Sequence, residues 1–168
     1  YEILFWGGGH ALQFTWTLLM LVGWLWLAQA CGARVPLSPR VALLMFALAL
    51  ASVFVTPYAY LAHDVATVEH RNLHTWAMRF GGGVAIFPVA LAVLLSLLPL
   101  HGIEATRRPL RAALVSSMAL FAAGGLIGLA IGGSNVTIPA HYHGCIVGVT
   151  LALMGAVYRL LPELGWRA

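Results

Sequence analysis

The stretch HYHGCIVGVTLALMGAVYRLL, residues 141–161, decides the fold. Two imidazoles, His141 and His143, stand at the mouth of a run that stays apolar from Gly144 to Leu161, close to the roughly 20 residues that a helical membrane span needs. An ionisable ring at that depth is costly, and such residues usually face a protein interior or a ligand, so the pair marks a functional site. At about 100° of rotation per residue, positions i and i+2 of a helix point roughly 200° apart. One helix therefore offers imidazoles to two neighbours on opposite flanks.

The same apolar character runs outward from this segment through the whole chain. Of the 168 residues, 61% are hydrophobic and only 8% charged, with a mean hydropathy of +0.91. A soluble globule carries about a quarter charged residues, so the composition excludes that class. Four more stretches reach spanning length: Ala11 to Ala30, Val41 to Ala62, Phe80 to Leu98 and Ala112 to Ile131. Each is continuously apolar instead of alternating, which predicts helices and not barrel strands. The expected fold is all-α, a polytopic transmembrane bundle of five spans with no separate soluble domain, no internal repeat and no low-complexity tract. The chain starts at Tyr1, almost inside its first span, and reads as part of a larger subunit.

All nine basic residues are arginine, and their placement predicts orientation. Arg34, Arg40, Arg107, Arg108, Arg111, Arg159 and Arg167 share one side, while Arg71 and Arg79 fall on the other beside Asp64 and Glu69. The positive-inside rule then puts the N-terminus outside and the C-terminus in the cytoplasm. The net charge of +4 is thus a membrane signal, and nucleic acid is not an expected partner. Cys31 and Cys145 are isolated thiols with no disulfide expected between them. Tight turns are expected at Pro36 to Arg40 and at Pro99 to Pro109, and a turn through Gly132-Gly133-Ser134-Asn135. The polar segment His63 to Arg79 reads as an interfacial stretch on the outer surface.

On this topology His10 opens the first span, His63 closes the second, and His141 and His143 open the fifth. Alternating spans bring these ends to the same side. Imidazole suits iron, copper and zinc, and a buried ring is better satisfied by a metal than left unpaired. His70, His74 and His101, set among arginine and glutamate, read as loop polarity.

Two motifs carry a family resemblance. Ile138-Pro139-Ala140-His141-Tyr142-His143-Gly144, with Gly155-Ala156-Val157-Tyr158-Arg159-Leu160-Leu161-Pro162 after it, resembles the tenth helix of the catalytic subunit of the heme-copper oxidase superfamily. Gly9-His10-Ala11-Leu12-Gln13-Phe14 resembles its sixth helix, most like the C-type oxidase and nitric oxide reductase branch, and His63 matches the seventh-helix metal ligand. The resemblance covers helices six to ten only. It implies that His141 is the proximal ligand of a high-spin heme and His143 an axial ligand of a low-spin heme. It also implies that His10 and His63 hold a second metal, copper in the family. The partner of His63 there is a second histidine; here it is Asp64, a set that suits non-heme iron better, and His70 or His74 could instead supply a third nitrogen.

The second axial ligand of the low-spin heme has no counterpart in the chain and is expected from other membrane subunits or helices. Phe14 stands where the A-type enzymes carry a cross-linkable tyrosine, so Tyr58 and Tyr60 are the nearest substitutes, in the style of the C-type enzymes. With no lysine in the sequence, a lysine-gated proton channel is not expected. The resemblance implies a terminal oxidase of a prokaryotic plasma membrane, taking electrons from cytochrome c or quinol and reducing dioxygen. Nitric oxide reduction and a non-catalytic, heme-carrying subunit are the alternatives.

Overall fold

The computed structural model describes residues 2–98, 104–132 and 135–166, with side chains from Leu4 onward. Part of the expected turn from Pro99 to Pro109, together with His101, Gly133, Ser134 and Arg167, lies outside the described residues. Among the described residues there is no strand, and five helical stretches are long and apolar enough to cross a membrane: Leu4–Ala30, Pro39–Ala62, Val68–Leu97, Ala105–Leu129 and Thr137–Leu160. The all-helical, five-span expectation holds.

Helix α1 (Glu2–Ala30) stops where glycine permits it. Gly32 takes φ +88, and the amides of Gly32 and Ala33 reach back to the carbonyls of Gln29 and Ala28, the paired bonds that close a helix on a left-handed residue. Ser38 starts α2 (Pro39–Ser52) by accepting the Val41 amide on its hydroxyl, with Pro39 in the first turn where its missing N–H costs nothing. The second span then breaks at Val53 and Phe54 before α3 (Val55–Ala62). Pro57 is the cause: it has no N–H to offer the Val53 carbonyl, and its ring crowds that oxygen. The amides of Val53, Phe54 and Thr56 tighten to three-residue bonds across the break.

The polar segment after α3 corrects an expectation. Most of His63 to Arg79 was expected to lie on the surface as an interfacial connection; instead Thr67 caps α4 (Val68–Trp76), which runs through a π-helical turn at Ala77–Gly82 into α5 (Gly83–Leu97). The third span thus begins well before Phe80. The sequence conceals this because Glu69, Arg71 and Asn72 break up the apolar run while lying on the exposed side of α4, and His70, Leu73 and His74 form its inner side. A short 3-10 turn, Ala105–Arg107, leads into α6 (Arg108–Leu129), and α7 (Thr137–Leu160) carries the histidine pair.

The described contacts divide the chain into two compact units, one of residues 1–21 and 37–92 and the other of residues 22–36 and 93–168. In the second, α6 and α7 lie against each other along most of their length. Gly124 and Gly144 make this approach possible: a Cβ on Gly124 would stand 2.6 Å from the Cys145 amide nitrogen, and one on Gly144 2.7 Å from the Gly124 Cα. A buried polar chain fastens the end of α1 to both. The Trp24 indole Nε1 donates to Ser117 Oγ at 2.7 Å, that hydroxyl donates to the Gly148 carbonyl at 2.5 Å, and the Trp24 ring meets Phe121 edge-on.

Candidate functional site

In the second unit, the α7 histidines differ in what they face. His141 is half-buried against α6 and His143 is exposed. His141 Nδ1 lies 2.7 Å from the Gly124 carbonyl oxygen, and His143 Nδ1 lies 2.7 Å from the Pro139 carbonyl oxygen one turn back. A carbonyl can only accept, so each Nδ1 carries a proton, and in the neutral ring the lone pair then lies on Nε2. This is the way protein matrices usually orient an imidazole that ligates a metal. The His141 ring also needs the notch at Gly128, where a Cβ would stand 2.6 Å from Nδ1. His143 sits in an apolar exposed strip with Ala140, Ile146 and Val147. The donor set therefore fits heme iron: two imidazoles anchored through Nδ1, one in a glycine notch and one on an open apolar face.

The first unit holds a second imidazole group. His10, half-buried on α1, donates Nδ1–H to the Trp6 carbonyl at 2.7 Å, and its ring lies against the Trp6 indole with centroids 4.4 Å apart. Its other neighbour is His74, at 6.2 Å between ring centroids. His74 in turn donates Nδ1–H to the His70 carbonyl at 2.9 Å and lies 4.7 Å from the His70 ring. His70 and His74 are each only 1% exposed. Four buried nitrogens in this group find no hydrogen-bond partner: Trp6 Nε1, both ring nitrogens of His70, and His74 Nε2. Left so, they cost on the order of 1–3 kcal/mol each, which is why buried polar atoms without partners point to a ligand or a working role. Reading His70 and His74 as loop polarity is thus corrected by their burial on a helix.

The remaining expected site residues lie as follows. Tyr60 belongs to the group, its ring edge-on to His70 at 4.7 Å and its hydroxyl donating to the Leu4 carbonyl at 2.8 Å. Tyr58, two residues earlier and so on another side of α3, is 58% exposed and meets only the edge of the His63 ring among the described aromatic contacts. His63 ends α3 in an extended conformation. Asp64 builds the next turn: its Oδ1 accepts the Ala66 amide, and its carbonyl accepts the Thr67 hydroxyl. Among the described residues no three His, Cys, Asp or Glu side chains converge closely enough to hold a metal ion as they stand, so His10, His63 and Asp64 are not assembled into a ligand set. Trp6 was missed, and His70 and His74 were read as loop polarity or, singly, as a third nitrogen, never as a buried pair. The available signal was the i, i+4 spacing of the two histidines, which puts both on one side of a helix.

No family model matches the chain, and no solved structure matches it. Two curated relatives do. A protein of Rickettsia prowazekii described as uncharacterized is 28% identical over 190 residues, covering 98% of this chain and 37% of its own length. A protein of Aquifex aeolicus, also described as uncharacterized, is 30% identical over 168 residues, covering 99% of this chain and 40% of its own length. The chain thus spans about two fifths of the length of the curated relatives it matches.

Proposed function

We propose that the chain is part of a membrane heme protein akin to the heme-copper oxidases, a terminal oxidase that reduces dioxygen to water with electrons from cytochrome c or quinol. The observation that supports this most is the matched posture of His141 and His143, each with Nδ1–H tied to a backbone carbonyl and, in the neutral ring, the lone pair on Nε2. His141 would hold the heme that meets dioxygen, and His143 the heme that delivers electrons, with its second ligand from helices outside this chain. When bound, the hemes supply one-electron transfer and an iron site for dioxygen. The protein's own part is orientation: the Gly124 and Pro139 carbonyls fix the two rings, raise their basicity as ligands, and hold the protons away from the coordinating nitrogens. The second metal that the resemblance implies, with His10, His63 and Asp64 about it, carries no step in this reading.

The same reading places the chain in a prokaryotic plasma membrane, with the N-terminus outside and the C-terminus in the cytoplasm by its arginine distribution. The bacterial source of both relatives agrees with that location. One observation favours a non-catalytic, heme-carrying subunit as the second reading: an Asp64 carboxylate oxygen accepts the Ala66 amide in the turn after α3. The deciding experiment is dioxygen uptake by the purified full-length protein with reduced cytochrome c or a quinol, and nitric oxide consumption in a parallel assay. Cyanide-sensitive dioxygen uptake is the expected result. Turnover of nitric oxide alone would move the reading to that substrate, and heme without either turnover would move it to the carrier.

A further inference from the structure

We infer that the arginines gathered where α1 ends and α6 begins, Arg34, Arg107, Arg108 and Arg111, bind the phosphate headgroup of an anionic phospholipid. The inference is independent of the hemes and rests only on the membrane-spanning length of the helices. All four arginines lie in the second unit, set around the turn that closes α1. Arg107 reaches that turn: a Cβ on Gly32 would stand 3.0 Å from its Nη1. Arg111, one turn further along α6, is half-buried, and its charge acts together with that of Arg107 on the Cys31 thiol. Arg34 follows Gly32 by two residues and Arg108 follows Arg107, and both are exposed.

Most of this charge is unmet by the protein itself. Arg107 Nε lies 3.3 Å from Glu104 Oε2 in a solvent-exposed pair. Arg34, Arg108 and Arg111 have no carboxylate partner among the described residues, and the first turn of α6 holds no acidic residue. Guanidiniums crowded in this way repel one another, and an anion placed among them turns that repulsion into attraction. Phosphate suits them best, because the planar fork of arginine meets two of its oxygens at once.

Depth along the helix selects a lipid over a soluble anion. Arg107, Arg108 and Arg111 stand at the start of the stretch Ala105–Leu129, which is long and apolar enough to cross a membrane, and so at the level of the bilayer's headgroups, where basic clusters between helices hold anionic lipids. From Arg108 inward, Ala112, Val115 and Ala119 follow at helical spacing on one side of α6, and all three are exposed. A phospholipid matches both parts, its phosphate the guanidiniums and its acyl chains the apolar strip. Free phosphate or an acidic protein segment matches only the first. Arg159, in the last turn of α7, is a built-in contrast, since Glu163 already neutralises it.

The test is lipid binding by the purified full-length protein in a neutral detergent, read by native mass spectrometry as phosphatidylglycerol or phosphatidylcholine is added. We expect phosphatidylglycerol to bind about a hundredfold more tightly than phosphatidylcholine, and Arg108→Gln and Arg111→Gln each to lose about fivefold of that affinity. Glu104→Gln, which releases Arg107 from its pair, should bind phosphatidylglycerol more tightly than the wild type does, a gain that misfolding cannot mimic. Arg159→Gln removes one positive charge outside the cluster and should bind as the wild type does. Equal affinity for the two lipids would overturn the inference, as would a loss in Arg159→Gln matching that in Arg108→Gln. Inorganic phosphate that displaces phosphatidylglycerol at equal concentration would assign the arginines to the free ion and overturn the lipid. Heme spectra of the same samples decide the oxidase reading separately, so either proposal can fail without the other.

Discussion

At the residue scale, tautomer and glycine placement do the deciding. His141 lies in a notch that exists because residue 128 has no side chain. Gly128→Ala should push the imidazole out of line with the Gly124 carbonyl, and under the heme reading this shifts or weakens the carbon-monoxide-reactive band while leaving the other heme band in place. An unchanged spectrum would remove the notch from the account. Cys31, just beyond the first span, is buried, and burial pushes its thiol up from the ordinary range while Arg111 and Arg107 pull it partly back. Its thiolate fraction near pH 8 is therefore lower than that of a free cysteine, so alkylation by iodoacetamide should be slow there and rise steeply at higher pH. The sign for stability follows: a thiol raised in the folded state contributes below about pH 8.5, the ordinary thiol value, and that contribution is lost as pH rises through the folded value.

At the element scale, the α6–α7 pair and the Trp24–Ser117–Gly148 chain hold the second unit. Ser117→Ala leaves the Trp24 N–H buried without its acceptor, at a cost of about 1–3 kcal/mol, which thermal unfolding of the detergent-solubilised protein would read as a lowered midpoint. Adjacent glycines on α6 give an internal contrast. A Cβ on Gly124 meets backbone of α7, whereas one on Gly125 meets nothing within 4 Å. Gly124→Ala should therefore destabilise by about 1–3 kcal/mol, and Gly125→Ala should stabilise by about 0.5–1 kcal/mol. Equal effects would mean that the close approach is not what these residues serve. The helices themselves were legible in the sequence because continuous apolar length is a direct consequence of the bilayer's thickness. The start of α4 was not, because a helix with Glu69, Arg71 and Asn72 on one side has no apolar run to show, and only its His70–His74 spacing betrays the inner side.

At the scale of the whole molecule, the arginines give the clearest expectation. Cysteines placed singly at Arg71 and at Arg108, in a background without Cys31 and Cys145, should react with a membrane-impermeant maleimide in opposite ways: the first in intact cells, the second only after permeabilisation. The reverse pattern would invert the topology. The candidate site was legible as residue types: His10, His141 and His143 stand out by motif and depth alone. What the sequence could not supply was assembly: whether Asp64 turns inward or builds a turn depends on the local bonds of residues 64–67, and there the Ala66 amide wins its carboxylate.

The central claim is that His141 and His143 each bind a separate heme iron through Nε2. It is tested most directly by reduced-minus-oxidised spectra, with and without carbon monoxide, of the wild-type full-length protein beside His141→Ala and His143→Ala. The account predicts two heme signals in the wild type, loss of the carbon-monoxide-reactive one in His141→Ala, and loss of the unreactive one in His143→Ala. A wild type without heme bands, or both bands intact in both variants, would contradict it.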